Sequence, residues 1–145
     1  MKLTKHNSGW RLVMDEARVQ RIEIDFRLGL LLSDRSETAH VYFETPCYLK
    51  SQGEEILLAP DDTCTLAPIL ALFNAEVGDV AIHGSGRLVV TFKDGRSLEA
   101  DPDERFEAWQ IASPNGFLLV CSPGGSVSVF QANAVARDKE RGKVT

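Results

Sequence analysis

The sequence predicts an α+β protein dominated by antiparallel strands: two similar β-meander halves, forming a sandwich or half-open barrel, with one central helix. Three observations carry that expectation. Short β-branched, Leu-rich and aromatic runs recur along the chain, separated by Gly, Pro, Asp and Ser, which reads as strands and turns. One segment near the middle switches from a period of two to the spacing of a buried helical face. The second half of the chain also matches the first at a nearly constant separation.

Composition narrows the class. A chain of 145 residues is one domain by the usual size of roughly 100–200 residues. Apolar residues at 43% and charged residues at 26% exclude disorder, collagen-like repeats and a coiled coil as the main organisation. Sixteen Lys and Arg against 21 Asp and Glu give a net charge of −5, which argues against an electrostatic nucleic-acid binder. Cys47, Cys64 and Cys121 form no C-x-x-C pair, so neither a disulfide framework nor a structural zinc site is expected. The first residues lack the apolar run of roughly 7–15 residues that a secretory signal needs. The longest apolar stretch of the first half, Leu28–Leu32, is far short of the ~20 residues that cross a bilayer. The expectation is a cytoplasmic protein with no membrane association and no cofactor.

Strands are expected from Val19 onward. Val19, Ile22 and Ile24 lead into the alternating Leu28, Leu30 and Leu32, then His40-Val-Tyr-Phe43 and Glu55-Ile-Leu-Leu58, closed by Pro60. In Thr65–Asn74, Leu66, Ile69, Leu70 and Phe73 fall at i, i+3, i+4 and i+7. That spacing predicts a helix over 65–74, with Thr65 as N-cap, Pro68 early in the helix and Asn74 at its close. Strands resume with Val77, Val80 and Ile82. Leu88, Val90 and Phe92 then run into an Asp94-Gly95 hairpin turn. Phe106–Ile111, Phe117–Cys121 and Ser126–Phe130 complete a single domain over 1–130, and 131–145 is expected to be a surface tail.

The internal match runs over about 19–60 and 77–123. Ile22-x-Ile24 matches Val80-x-Ile82 at a separation of 58, and Arg27-Leu28 through Asp34 matches Arg87-Leu88 through Asp94 at 60. Phe43-Glu44, Gly53 and Pro60 match Phe106-Glu107, Gly116 and Pro123 at 63. Period-two hydrophobicity alone explains the Leu and Val matches. It explains the Arg, Asp, Glu, Gly and Pro matches less well, so a duplication is expected.

No catalytic constellation stands out. His40 and Glu44 share a face on an extended strand but sit ~13 Å apart, too far for one metal ion. Gly84-Ser-Gly86 and Pro123-Gly-Gly125 precede strands rather than a helix, so they read as turns and not as phosphate cradles. Cys64, near the helix start, is the one candidate for a reactive thiol, opposed by Asp61 and Asp62. From Ser51 to Gly86 there are six carboxylates and no Lys or Arg. That stretch is either a solvated face or a surface for a basic partner.

Phe106-Glu-Ala-Trp109, the Gly116 turn, Leu119-Val-Cys-Ser-Pro-Gly-Gly125 and Val127-Ser-Val-Phe130 resemble a bacterial, actinobacterial-type family, the uncharacterised domain of unknown function 6188. Phe92-Lys-Asp-Gly95 precedes them as in that family. The resemblance covers about residues 20–130 and departs at Phe130, where the family pattern implies Trp. It supports the fold and implies no catalytic residues.

The expected function is a non-enzymatic binding or interaction protein, immunity-like, that covers a basic protein partner. Candidate binding residues are Glu44, Glu107, Trp109 and Tyr48. Glu107 and Trp109 are alternatively structural, with Arg87 as partner for Glu107 and Arg27 for Glu44. Further aromatic anchors are expected among Tyr42, Trp10 and Phe117. The alternative is a small hydrolase or transferase whose site combines His40, His83 and distant carboxylates. Self-association into a homodimer is the competing use of an open strand edge.

Overall fold

Alternating polarity is realised as thirteen strands in the computed structural model, which describes residues 1–114 and 116–131. They are β1 (Lys2–His6), β2 (Gly9–Val13), β3 (Arg18–Ile24), β4 (Leu28–Ser33), β5 (Thr38–Phe43), β6 (Cys47–Ser51) and β7 (Glu54–Leu58), followed by a 3-10 helix (Thr63–Leu72). After the helix come β8 (Val77–His83), β9 (Leu88–Phe92), β10 (Ser97–Ala100), β11 (Trp109–Ala112), β12 (Phe117–Cys121) and β13 (Val127–Gln131). The expected tail beyond Gln131 lies outside the described residues.

Two antiparallel sheets result, and they do not close into a barrel. The first has the order β1-β2-β8-β9-β10-β6-β7, the second β13-β12-β11-β5-β4-β3. Strands such as β5, β9 and β12 alternate buried with half-buried residues, so each sheet turns one apolar face inward. Trp109, Phe43 and Phe92 are the bulkiest fully buried side chains.

The two halves exchange hairpins between the sheets. After the β3-β4-β5 meander the chain crosses to the first sheet as the β6–β7 hairpin. After β8-β9-β10 it crosses to the second sheet as β11–β12. Hence β6 pairs with β10 while β11 pairs with β5, the same relation read in both directions. Ile24 faces Leu28 in the β3–β4 hairpin and Ile82 faces Leu88 in β8–β9, so these pairs hold corresponding places in the two ladders. Tyr48 and Leu57 likewise correspond to Gln110 and Val120, each pair facing across its hairpin.

One part of the match is corrected. Leu28 faces Phe43 and Leu88 faces Ala100, so the counterpart of Phe43 is Ala100 and not Phe106. Phe43 is buried, whereas Phe106 is 64% exposed and precedes β11. The cause is local. The Asp103 carboxylate accepts hydrogen bonds from the backbone N–H groups of Arg105 and Phe106, which holds this segment in a turn instead of a ladder.

The expected helix is present with a different pitch. Its buried residues are Leu66, Ile69 and Leu72, spaced by three, which suits the three residues per turn of a 3-10 helix. Leu70 and Phe73, expected on the buried face, are exposed. Thr65 is no N-cap; its hydroxyl accepts from the Ala59 N–H at 2.8 Å and donates to backbone carbonyls, tying the helix to the end of β7. Asn74 takes a positive φ of 63° just past the helix. The helix packs against β7 and β3, edge strands of the two sheets, and thereby plugs one side of the sandwich.

The β1–β2 hairpin had no counterpart in the sequence expectation. Its residues are mostly polar, and only Leu3, Trp10 and Leu12 pack against the core.

The two glycine turns meet. A Cβ on Gly86 would lie 2.6 Å from the Gly125 carbonyl oxygen, and one on Gly125 would lie 2.5 Å from that of Ser85. Both residues have positive φ, 98° and 102°. Only glycine satisfies both constraints at once.

Candidate functional site

The outer face of the second sheet carries a contiguous polar and aromatic array. Alternation buries Ala39, Val41 and Phe43 of β5 and leaves His40 and Tyr42 on the outside. Their rings stack with centroids 5.2 Å apart. The Arg27 guanidinium, from the β3–β4 turn, lies 3.9 Å from the Tyr42 ring centroid. His40 Nε2 and Glu23 Oε1 of β3 are 3.1 Å apart. Glu44 lies just beyond β5, where burial and the nearby Glu107 carboxylate raise its pKa against the lowering effect of Arg27. The Glu44 N–H donates to the Ala108 carbonyl at 2.9 Å, so Glu44 lies beside the segment that carries Glu107.

The expected ion pairs of these glutamates are not formed as stated. Arg87 bonds Glu99 and approaches Asp101, and Glu107 has no ion pair among the described residues. Arg27 touches Asp25 at 3.8 Å and acts on Glu44 only at longer range. Tyr42 and Glu99 occupy corresponding places in the two sheets. The matched arginines are thus held by an aromatic ring in one sheet and by a carboxylate in the other.

Trp109 is not on a binding surface. It is fully buried, and its Nε1 donates to the Gly86 carbonyl at 2.8 Å. Glu107 does not share its face, because β11 begins only at Trp109. Phe117 is buried as well, and Trp10 is half-buried against the core. The exposed aromatics are Phe26, Phe73, Phe106 and Phe130.

Tyr48 lies on the outer face of the first sheet, between Glu99 of β10 and Leu57 of β7. Burial would raise the pKa of Glu99, but Lys50 at 2.9 Å and Arg87 outweigh it and hold the carboxyl low. Beyond Tyr48 the sheet ends at β7, where Glu54 and Glu55 are exposed and Ile56 and Leu57 are 36% and 46% exposed. Of the six carboxylates between Ser51 and Gly86, Glu76 pairs with Arg18 and Lys93, and Asp79 with Arg11. Glu54, Glu55, Asp61 and Asp62 have no ion pair among the described residues, and all four are exposed.

The two candidate catalytic histidines do not meet. His40 projects from the second sheet, while His83 ends β8 in the first and projects from the opposite side of the sandwich. The cleft of about 160 Å³ beside His83 is lined by His6, Ser8, Trp10 and Arg11 and contains no carboxylate. Among the described residues no three His, Cys, Asp or Glu side chains gather as metal ligands. Burial pushes the Cys47 thiol up to about 12 and raises that of Cys121; Cys64 is exposed. Among the described residues no helix is long and apolar enough to cross a membrane.

Sequence reasoning found the acidic stretch but missed its apolar companions. Glu55–Leu58 reads as a strand, and its run of three apolar residues does not say which of them face solvent. The one available signal was Gln52-Gly53, which announces a tight hairpin, but nothing local says that the second strand ends the sheet. The Arg27–Tyr42 contact was likewise out of reach, because it spans a turn and two strands.

No curated protein and no solved structure matches the chain. A family model described as a family of unknown function (DUF6188) matches residues 10–131, from β2 through the end of β13. The chain belongs to this family of unknown function.

Proposed function

We propose that the chain works by contact with a basic protein partner and not by chemistry, in the manner of an immunity protein that covers its target. The observation that carries this reading is the surface at β7 and the turn after it. Four exposed carboxylates with no ion pair among the described residues, Glu54, Glu55, Asp61 and Asp62, flank the partly exposed Ile56 and Leu57. Glu55 faces Lys50 across the hairpin, and the cluster as a whole is acidic. Like charges around apolar groups suit a partner of opposite sign, steering its approach and leaving apolar area to bury on contact. His40 and His83 lie in different sheets, so they do not form one joint site, and His40 has Glu23 as its carboxylate neighbour.

Affinity purification from the source organism at low and high salt tests the reading, with the Glu54→Lys/Glu55→Lys variant run in parallel. The expected result is a basic protein retained by the native chain at low salt, weakened at high salt and lost with the variant. Recovery of the chain alone, or of a salt-insensitive homodimer, overturns it.

A further inference from the structure

We infer that β7 is a docking edge to which an extended, basic segment of the partner adds as a further strand of the first sheet. The inference rests on the reading above and specifies how that surface would be used.

The β6–β7 turn sets which backbone groups are free. Gln52 and Gly53 both have positive φ, 48° and 82°, as a two-residue type I′ hairpin turn requires. In such a hairpin the residues flanking the turn, Ser51 and Glu54, exchange hydrogen bonds, and bonded pairs then recur at every second residue. Glu54, Ile56 and Leu58 therefore bond to β6. Glu55 and Leu57 direct their N–H and C=O groups away from it. No strand lies on that side among the described residues; the 3-10 helix packs against β7, but Glu54 to Leu57 stay exposed and only Leu58 is buried. By contrast, the β3 edge of the second sheet is occupied in part by the chain at 74–76: Val19 N–H donates to the Ala75 carbonyl and Asn74 N–H to the Val19 carbonyl.

Side chains select the occupant. Glu54 and Glu55 fall on opposite faces of the strand, so an added strand meets a carboxylate on either side. Asp61 and Asp62 follow in the turn beyond the strand's far end. Leu57 stands beside Tyr48 on the outer face and offers an apolar contact. Charges on an edge also discourage pairing with like-charged strands, so two copies of β7 would repel each other. The basic edge β1, with Lys2 and Lys5, is the other conceivable occupant. A copy added through β1 leaves its own β7 open and continues without closing, whereas a partner segment ends the sheet. Backbone pairing supplies affinity in this mode, and lysines or arginines opposite Glu54 and Glu55 supply selectivity.

The test uses the full chain and a short synthetic peptide of alternating lysine and valine, followed by fluorescence anisotropy at low salt and by amide hydrogen exchange. Binding is expected, with exchange at Glu55 and Leu57 slowed roughly tenfold or more while Glu54, Ile56 and Leu58 change little. Glu55→Pro removes an outward N–H without touching a β6 bond, so it should fold normally and lose binding. Glu54→Lys/Glu55→Lys should also lose it. If the charge reversal abolishes binding but Glu55→Pro binds normally, the edge inference fails and the reading as a binder of basic proteins stands. If both variants bind as the native chain does, both fail. Should Glu55→Pro not fold, the exchange pattern of the native chain decides alone: no added protection at Glu55 and Leu57, or no binding, overturns the inference. Concentration-dependent growth of the native chain without peptide, with those two amides protected, also overturns it, because the occupant is then a second copy.

Discussion

The indole of Trp109 donates its one hydrogen bond to the carbonyl of Gly86, and both residues are buried. Gly86 in turn lies against Gly125, so Trp109, Gly86 and Gly125 form one contact linking β11 to the turns β8–β9 and β12–β13. Trp109 closes the segment Phe106–Trp109 and Gly125 the Pro-Gly-Gly turn, and their juxtaposition gives both segments a structural role.

A methyl group at Gly86 or Gly125 meets backbone oxygen at 2.5–2.6 Å in a left-handed conformation, and neither neighbour can yield without opening the turn. Gly86→Ala and Gly125→Ala are each expected to destabilise by about 2 kcal/mol or more, combining steric overlap with backbone strain. Trp109→Phe keeps most of the apolar volume but leaves the Gly86 carbonyl only the weak Cys121 thiol donor at 3.5 Å, at a cost of about 1–2 kcal/mol. Urea unfolding measures all three. A neutral Gly125→Ala would show that the two turns are not in contact.

Gly29 faces Tyr42 across β4 and β5, and a Cβ there would lie 3.1 Å from the ring. The corresponding residue in the first sheet is Val89, which faces Glu99 instead of a ring. Gly29→Val is therefore expected to displace Tyr42 from under Arg27. Its loss should equal or exceed that of Tyr42→Ala, where the cation–π contact alone is worth about 0.5–1 kcal/mol at a partly exposed site. Thermal unfolding of the two variants checks the order, and a stabilised Gly29→Val contradicts it.

Glu44 gives a pH dependence with a definite sign. Burial raises its pKa in the folded chain, Glu107 adds to the effect and Arg27 opposes it. The native state then binds more protons than the unfolded state in the interval just above the ordinary glutamate value. This group's contribution to stability is favourable below that interval and falls as pH rises through it. Glu44→Gln should accordingly gain on the native chain as pH goes from about 4 to 7. Unfolding curves at the two values test it, and an unchanged difference contradicts the assignment.

The limits of the sequence reading follow from what each feature depends on. The alternation of Leu28, Leu30 and Leu32 and the Asp94-Gly95 turn are local, and both strands and turn stand where expected. The exchange of hairpins is not local. Nothing between Phe43 and Cys47 states that β5 and β6 belong to different sheets, because that choice is made by β11 and β10 much later in the chain. The acidic stretch was legible as composition. Which of its carboxylates pair was not, because Arg11, Arg18 and Lys93 come from β2, β3 and the turn after β9. The status of β7 as an edge is equally a property of the assembled sheet.

The helix makes the sharpest distinction between the two readings of one segment. An α-helical face would bury Leu66, Ile69, Leu70 and Phe73, whereas the 3-10 helix buries Leu66, Ile69 and Leu72 and leaves Leu70 and Phe73 exposed. The costs of truncation separate them. Leu72→Ala should remove a fully buried side chain at about 2–5 kcal/mol, since the surrounding sandwich cannot collapse around the gap. Leu70→Ser and Phe73→Ser should stay within about 0.5 kcal/mol, as substitutions at exposed positions do. Pro68 lies inside the helix, where it removes a backbone donor without interrupting this side of three. If truncation at 70 and 73 costs as much as at 72, the segment is α-helical in solution and the plug between β7 and β3 is built from a different face.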